Sequence, residues 1–242
     1  MIKLTNLTKR FGENIAVDNL NLDINAGELF GFLGPNGAGK TTTIKMMTGI
    51  LKPASGKVEI AGLDIQKHPE KAKKMIGYVP DDPFLYGRLT GREYLEFIGG
   101  LYQLDKRKIR LRASELFEIF DMNGWIDKKC EEYSHGMCQK LVFSAAFLHN
   151  PEALIIDEPM VGLDPQSSRL VKDMLKQYAL KGAMVFISTH VLSVAEELCD
   201  RIGIINKGKL IGLGTISQLK AKEAKDDVNL ETLFLDLTSN QT

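Results

Sequence analysis

The chain has 242 residues and a mass of 26.9 kDa, enough to bury roughly 70–75% of its unfolded surface without metal or disulfide staples. Hydrophobic residues at 44% and charged residues at 26% exclude an intrinsically disordered or fibrous chain. Lys+Arg and Asp+Glu both number 31, so bulk charge does not mark a nucleic-acid binder and no nucleic-acid partner is expected. The cysteines (Cys130, Cys138, Cys199) are odd in number and lack CxxC spacing, which predicts a reducing compartment. The opening MIKLTNLTKRFGE has no apolar signal core, and no apolar run approaches the roughly 18–20 residues that span a bilayer. The expectation is a soluble, cytoplasmic protein.

In chain order, Ile2 to Leu4 and Leu20 to Ile24 alternate with period two, as half-buried strands do. Leu29 to Leu33 is continuously apolar, the pattern of a central strand covered on both faces. A Gly-rich turn and a helix over Thr41 to Gly49 follow, then a strand over Lys57 to Ile60. Thr90-Gly91-Arg92-Glu93 reads as a capping box, with Tyr94, Phe97, Ile98 and Leu101 at helical spacing behind it. Ile109, Ala113, Leu116, Phe117 and Phe120 repeat that spacing, so about 84–150 is a predicted helical lobe inserted in the chain. Alternation then resumes with a strand at Ala153 to Ile156, a helix over Leu170 to Tyr178 capped by Asp164-Pro165, and a strand at Met184 to Ser188. This pattern predicts one α/β domain with parallel strands and a helical insertion.

The strongest chemical signal is Gly34-Pro35-Asn36-Gly37-Ala38-Gly39-Lys40-Thr41, a match to G-x-x-x-x-G-K-[ST] between an apolar strand and a helix. A chance match in a chain of this length has a probability of about 1%. Glycines let backbone N–H groups turn inward around phosphates, Lys40 supplies charge to the β/γ oxygens, and the Thr41 hydroxyl reaches Mg²⁺. The run Ala153-Leu154-Ile155-Ile156 ends in Asp157-Glu158-Pro159, two acids at the tip of a core strand where charge is costly unless something binds. Asp157 is placed to hold Mg²⁺ and Glu158 to polarise an attacking water; the lesser alternative, for the triplet taken alone, is that it simply caps the next turn. His190 follows another apolar strand and is positioned to donate to a γ-phosphate oxygen, although a strand-end histidine by itself needs no ligand. His68, His135 and His149 have no ligand-like spacing.

These motifs together resemble the nucleotide-binding subunit of an ATP-binding cassette (ABC) transporter over nearly the whole chain. Phe11 in Arg10-Phe11-Gly12 is similar to the adenine-stacking aromatic loop, and Gly34 to Thr42 to Walker A. Tyr133 to Met137 resembles the family signature, and Ile155 to Glu158 the end of Walker B with its glutamate. Gly162-Leu163-Asp164-Pro165 resembles the D-loop and His190 the switch histidine. The resemblance implies a P-loop core with a mostly parallel sheet, an N-terminal antiparallel β subdomain, the helical signature lobe and a short tail over 215–242. It further implies two copies, or one copy and a related ATPase subunit, paired head to tail. Each ATP, with Mg²⁺, would lie between Walker A of one copy and Ser134 and Gly136 of the other. Separate transmembrane permease subunits would hold the chain on the inner face of the cell membrane.

Two departures stand out. The family glutamine after Ile76 to Pro80 is replaced by Asp81, which is still able to bind Mg²⁺ or its water but also suits a solvated Asp81-Asp82-Pro83 turn. The signature Tyr133-Ser134-His135-Gly136-Met137 differs at three of five positions from the usual Leu-Ser-Gly-Gly-Gln and resembles the branch serving exporters. His135 and Cys138 have no assigned role. Ser134 is in any case a good helix cap. The basic stretch Lys106 to Arg112 reads as the solvated side of an amphipathic helix. Leu230, Leu233, Phe234 and Leu237 read as a tail helix packed on its own domain, with Asn229 as cap. Phe84, Leu85 and Tyr86, in a turn-rich connection, need cover either from the lobe or from another chain. The function expected is an ATPase subunit powering a transporter, exporter-like. The alternatives are a soluble nucleotide-dependent switch and a regulatory cassette without turnover.

Overall fold

The computed structural model describes residues 1–222 and 230–239; the expected cap Asn229 lies outside them. The chain opens with strands β1 (Ile2–Phe11) and β2 (Asn14–Ile24), followed by β3 (Leu29–Leu33) and helix α1 (Lys40–Met47). Next come β4 (Ser55–Ile60), β5 (Leu63–Asp64), α2 (Pro69–Lys74) and β6 (Ile76–Val79). The lobe holds α3 (Gly91–Leu101), α4 (Lys106–Ile119), a 3₁₀ turn at Cys130–Glu132, and α5 (His135–Leu148). The core resumes with β7 (Ala153–Asp157), α6 (Pro165–Leu180), β8 (Met184–Thr189), α7 (Leu192–Leu198), β9 (Arg201–Asn206) and β10 (Lys209–Gly214). Helices α8 (Ile216–Lys222) and α9 (Leu230–Ser239) come last. Among the described residues, no helix is long and apolar enough to cross a membrane.

Two sheets form. An antiparallel sheet has the order β2-β1-β4-β5, and a six-stranded sheet the order β10-β9-β3-β8-β7-β6, parallel except for β10. Phe30, Phe32 and Phe186 point into the space between the sheets, where they meet Ile2, Leu4 and Ile60. The other face of the parallel sheet, with Leu154, Ile156, Val185 and Ile187, is covered by Phe143, Phe147, Val171 and Leu175. Cover on both faces explains why β3, and β7 and β8 up to their polar C-terminal tips, are continuously apolar. Parallel register puts Leu33 opposite Thr189, Asp157 opposite Ser188, and Val79 opposite Ile156. The loops that leave β3, β6, β7 and β8 therefore emerge together at one edge, where α/β folds bind ligands.

The predicted caps are present: Thr90 and Glu93 close a capping box on α3, Ser134 caps α5, and Asp164 caps α6 ahead of Pro165. The face of α3 differs from expectation. Tyr94 is buried as predicted, but Phe97 and Leu101 are 42% and 61% exposed, while Leu95 and Gly99 are inside. A Cβ at Gly99 would come within 2.6 Å of Ile109 on α4, so the absence of a side chain sets which face of α3 packs. On α4, Ile109, Ala113, Leu116 and Phe117 are buried and Lys106, Arg107, Lys108 and Arg110 are exposed as expected, but Arg112 turns inward, where its guanidinium donates to the Tyr178 hydroxyl at 2.9 Å. The tail stripe packs on its own chain: Leu230 and Leu233 are buried with Ile202 and Ile204, and Phe234 and Leu237 pack against them.

The lobe is tied to the core at Ile76. Both the Tyr102 hydroxyl and His149 Nε2 lie 3.1 Å from the Ile76 carbonyl, and their rings stack at 3.7 Å. His149 Nδ1 is buried without a partner, and burial pushes the imidazole down to about 4. The unfolded chain, titrating near 6.5, binds the extra proton first, so stability falls as pH drops from about 6.5 to 4. The ceiling on this penalty is about 3 kcal/mol. Denaturant melts at pH 7 and pH 4.5 should show it, and His149→Phe should flatten this part of the acid limb.

Candidate functional site

Past β3, the segment from Gly34 to Gly39 wraps into a loop whose geometry depends on glycine. A Cβ at Gly34 would lie 2.5 Å from the Ile205 carbonyl oxygen, and Gly39 has φ +110 with its α-hydrogen facing the Ala16 carbonyl. No side chain caps α1 and no acid stands in its first turn, so its leading N–H groups and the positive end of its dipole face outward from the loop. Pro35, Asn36, Gly37, Gly39, Lys40, Thr41 and Thr42 line a cavity of about 440 Å³. Asp81 from the β6 exit and Asp157 and Glu158 from the β7 tip line the same cavity. Gly34 and Ala38 shape the loop from behind: Gly34 offers its carbonyl to Lys40, and Ala38 is buried with its carbonyl accepting from Gly208 N–H.

Lys40 is 7% exposed and donates to the carbonyls of Gly34 (2.6 Å) and Pro35 (3.3 Å). Burial lowers its pKa, while Glu158, Asp157 and Asp81 pull it back up. Tyr78 is pushed up to about 12 by burial and then by Asp157 and Asp81. These couplings place the replacement acid Asp81 within the field of the site rather than in a remote turn.

Asp157 is 2% exposed, and its two oxygens have separate donors. Thr41 Oγ1 donates to Oδ2 at 3.1 Å, and Ser188, its partner across β7 and β8, donates to Oδ1. Glu158 adopts φ +50, a costly left-handed conformation for a residue other than glycine. Its N–H bonds the Ser188 carbonyl at 2.9 Å. Its Oε1 accepts from His190 N–H at 3.1 Å and lies 2.7 Å from His190 Nδ1. Its Oε2 accepts from the Thr189 hydroxyl at 3.0 Å. His190 thus reaches the site through Glu158 and is not itself among the cavity-lining residues.

The donor set of Thr41, Asp157 and Asp81 is all oxygen, with carboxylates facing a phosphate-sized loop. That chemistry fits a hard divalent cation such as Mg²⁺, which takes one or two carboxylates and completes its shell with water and substrate phosphates.

Besides His190, and Gly34 and Ala38 behind the loop, three more predicted residues stand apart from the cavity. Phe11, at the end of β1, is 49% exposed with Lys9 Nζ 5.1 Å from its ring; Ile15 and Ala16 line the cavity instead. Ser134 and Gly136 also do not line it. Ser134 accepts from Met137 N–H at 3.3 Å, and Gly136 abuts the Gly162 carbonyl. His135, which had no role by sequence, covers Gly162 so closely that a Cβ there would fall 1.9 Å from its ring. The start of α5 is therefore keyed into the loop that follows Glu158. Sequence reasoning missed Asn14, Ile15, Ala16, Lys207 and Gly208 in the cavity wall. A glycine turn between β9 and β10 was the available signal: Gly208 has φ +80 and backs against the Ala16 carbonyl.

Comparison with known proteins accords with this arrangement. Residues 17–161 match the family model described as ABC transporter. The chain is 38% identical over 240 residues to the probable multidrug ABC transporter ATP-binding protein YbhF of Escherichia coli, covering 98% of this chain and 41% of that protein. It therefore spans about two fifths of that relative's length. It is 39% identical to the linearmycin resistance ATP-binding protein LnrL of Bacillus subtilis, covering 94% of this chain and 73% of the relative. The bacitracin transport ATP-binding protein BcrA of Bacillus licheniformis is also 39% identical, with 93% and 73% covered. A solved ATP-binding subunit of an ABC transporter superposes with a TM-score of 0.93 at 30% identity, covering 98% of this chain and 99% of that one. A dimeric ATP-binding cassette in a post-hydrolysis state with ADP and Pi superposes with a TM-score of 0.81 at 26% identity, covering 89% and 99%. With a phosphate loop, two acids at the β7 tip and a histidine-tethered glutamate at one sheet edge, this chain belongs to the ABC transporter ATP-binding family.

Proposed function

We propose that the chain binds and hydrolyses ATP and thereby powers a membrane transporter of the exporter type, whose spanning subunits are separate chains. The observation that carries this reading is the convergence of Lys40, Thr41, Asp81, Asp157 and Glu158 on one cavity beneath the phosphate loop. The loop amides and Lys40 hold the β- and γ-phosphates, and Glu158 orients a water for in-line attack. Thr41, Asp157 and Asp81 are the residues that would hold Mg²⁺, which supplies charge neutralisation at the β/γ oxygens when bound. His190 sits beside Glu158 to contact the transferring phosphoryl group. Phe11, at the rim, is the residue proposed to stack on adenine.

Ser134 and Gly136 lie outside their own chain's cavity, which supports their serving the nucleotide of a second copy or related subunit docked head to tail. Relatives named for multidrug, linearmycin and bacitracin functions favour export. The working location would be the cytoplasmic face of the membrane, held there by the permease. Phe84 is 79% exposed and Tyr86 50%, whereas Leu85 packs on the core. Two exposed aromatics that contact each other at 6.0 Å, on the connection between the cavity and the lobe, form the proposed permease contact.

The test is co-purification from membranes together with ATPase assay of the isolated chain. A multi-span membrane protein should accompany the wild type. Replacing Phe84 and Tyr86 with serine should leave soluble ATP hydrolysis within about twofold, because neither side chain is core, while reducing co-purification by about tenfold or more. Hydrolysis without a membrane partner would favour the soluble-switch reading; neither would leave the regulatory cassette.

A further inference from the structure

We infer that Thr189 is a positioning residue that aims the one free lone pair of Glu158 at the attacking water. The inference rests on the reading of Glu158 as the water-orienting group. An ionised carboxylate offers about four lone-pair sites. Two on Oε1 are taken up by His190 N–H (3.1 Å) and His190 Nδ1 (2.7 Å), and one on Oε2 by the Thr189 hydroxyl (3.0 Å). A single site on Oε2 is left, and Glu158 lines the phosphate-loop cavity.

Thr189 is suited to this task because its own proton is committed. Its Oγ1 accepts from Val191 N–H at 3.0 Å, which fixes the hydroxyl from the other side, and the residue is 2% exposed at the end of β8. Water therefore does not compete for either bond. The backbone of Glu158 is anchored separately, by its N–H to the Ser188 carbonyl. What Thr189 adds is control of the carboxylate plane: without it, Oε2 has two equivalent open sites, and a bound water divides between two directions. Misdirection of a reacting atom by about 1 Å is enough to cost about 100-fold in rate.

The experiment compares wild type, Thr189→Val, Thr189→Ser and Glu158→Gln. Valine keeps the shape and the strand preference of threonine while removing the hydroxyl. Expected is a fall in kcat of about 10–100-fold in Thr189→Val with the KM for ATP within about twofold, and recovery in Thr189→Ser. Difference infrared spectra of nucleotide-free protein give a second readout independent of turnover. The carboxylate stretch that disappears in Glu158→Gln should shift in Thr189→Val and return in Thr189→Ser. If valine compromises folding by circular dichroism, Thr189→Ala is read in both assays instead. Wild-type kcat, an unmoved carboxylate band, or an equal loss in the serine variant overturns the proposal. Those outcomes, alongside a slow Glu158→Gln, leave the role of Glu158 standing. Full turnover in Glu158→Gln overturns that role and the proposal with it.

Discussion

Glu158→Gln should retain ATP binding and lose turnover by roughly 10²–10⁴-fold, the range over which a positioned acid–base group acts. The substitution removes the charge and also breaks the local hydrogen-bond pattern. Three donors, from His190 N–H, His190 Nδ1 and the Thr189 hydroxyl, now converge on two carboxylate oxygens. Glutamine keeps one acceptor oxygen and presents an amide that donates, so at least one of those donors loses its acceptor. The phosphate contacts of Lys40 and Thr41 stand on a different segment and stay in place. ATP that binds without being cleaved should hold two copies closed around it. Steady-state hydrolysis and size-exclusion chromatography in ATP and Mg²⁺ check both halves; a variant that turns over like wild type would show that another group orients the water.

Lys40→Ala should abolish ATP binding at working concentrations while leaving the fold intact. Lys40 is 7% exposed, and its ammonium lies in the fields of Glu158, Asp157 and Asp81. Its removal leaves those three acids lining a cavity meant for phosphates, with the Lys40 cation gone. Truncating one side of a buried charge pair costs about 2–5 kcal/mol. At about 3 kcal/mol this is a loss of more than 100-fold in affinity. The fold should survive because Lys40's own bonds go to the Gly34 and Pro35 carbonyls within the loop, and alanine is a strong helix former at the start of α1. Titration with a fluorescent ATP analogue measures the loss, and a thermal melt confirms the fold. Retained affinity would mean that the loop amides alone carry phosphate binding.

Much of this protein is legible from local sequence because the relevant forces act over a few residues. The phosphate loop is contiguous, and its glycines, lysine and threonine are read directly. The runs Leu29 to Leu33, Ala153 to Ile156 and Met184 to Ile187 carry no polar side chain because both faces of their sheet are covered, so strand position and burial coincide in the pattern. Thr90, Asp164 and Ser134 were identifiable as caps because a cap bonds an N–H two or three residues away. β6, β9 and β10 were not marked as strands by sequence. β9 lies between β10 and β3 and is buried almost throughout, but Gly203 interrupts its apolar run, while β10 is the edge strand, only partly buried and carrying Gly212 and Gly214.

The tertiary structure decided what depends on contacts between distant residues. Parallel register set Asp157 beside Ser188, and the β8 end placed Thr189 and His190 against Glu158, about thirty residues away in sequence. No local pattern marks the Ser188 and Thr189 hydroxyls for this role. Packing also chose the face of α3, where Gly99 admits Ile109 and turns Phe97 and Leu101 outward against their helical spacing. The seating of His135 on Gly162 likewise follows from the docking of the lobe. Local sequence determines which segments are strands, helices, caps and phosphate loop, since those choices rest on backbone geometry and short-range hydrogen bonds. Which side chains meet at the site is decided by sheet register and helix packing, since burial and long-range hydrogen bonds are satisfied only once the whole chain has closed.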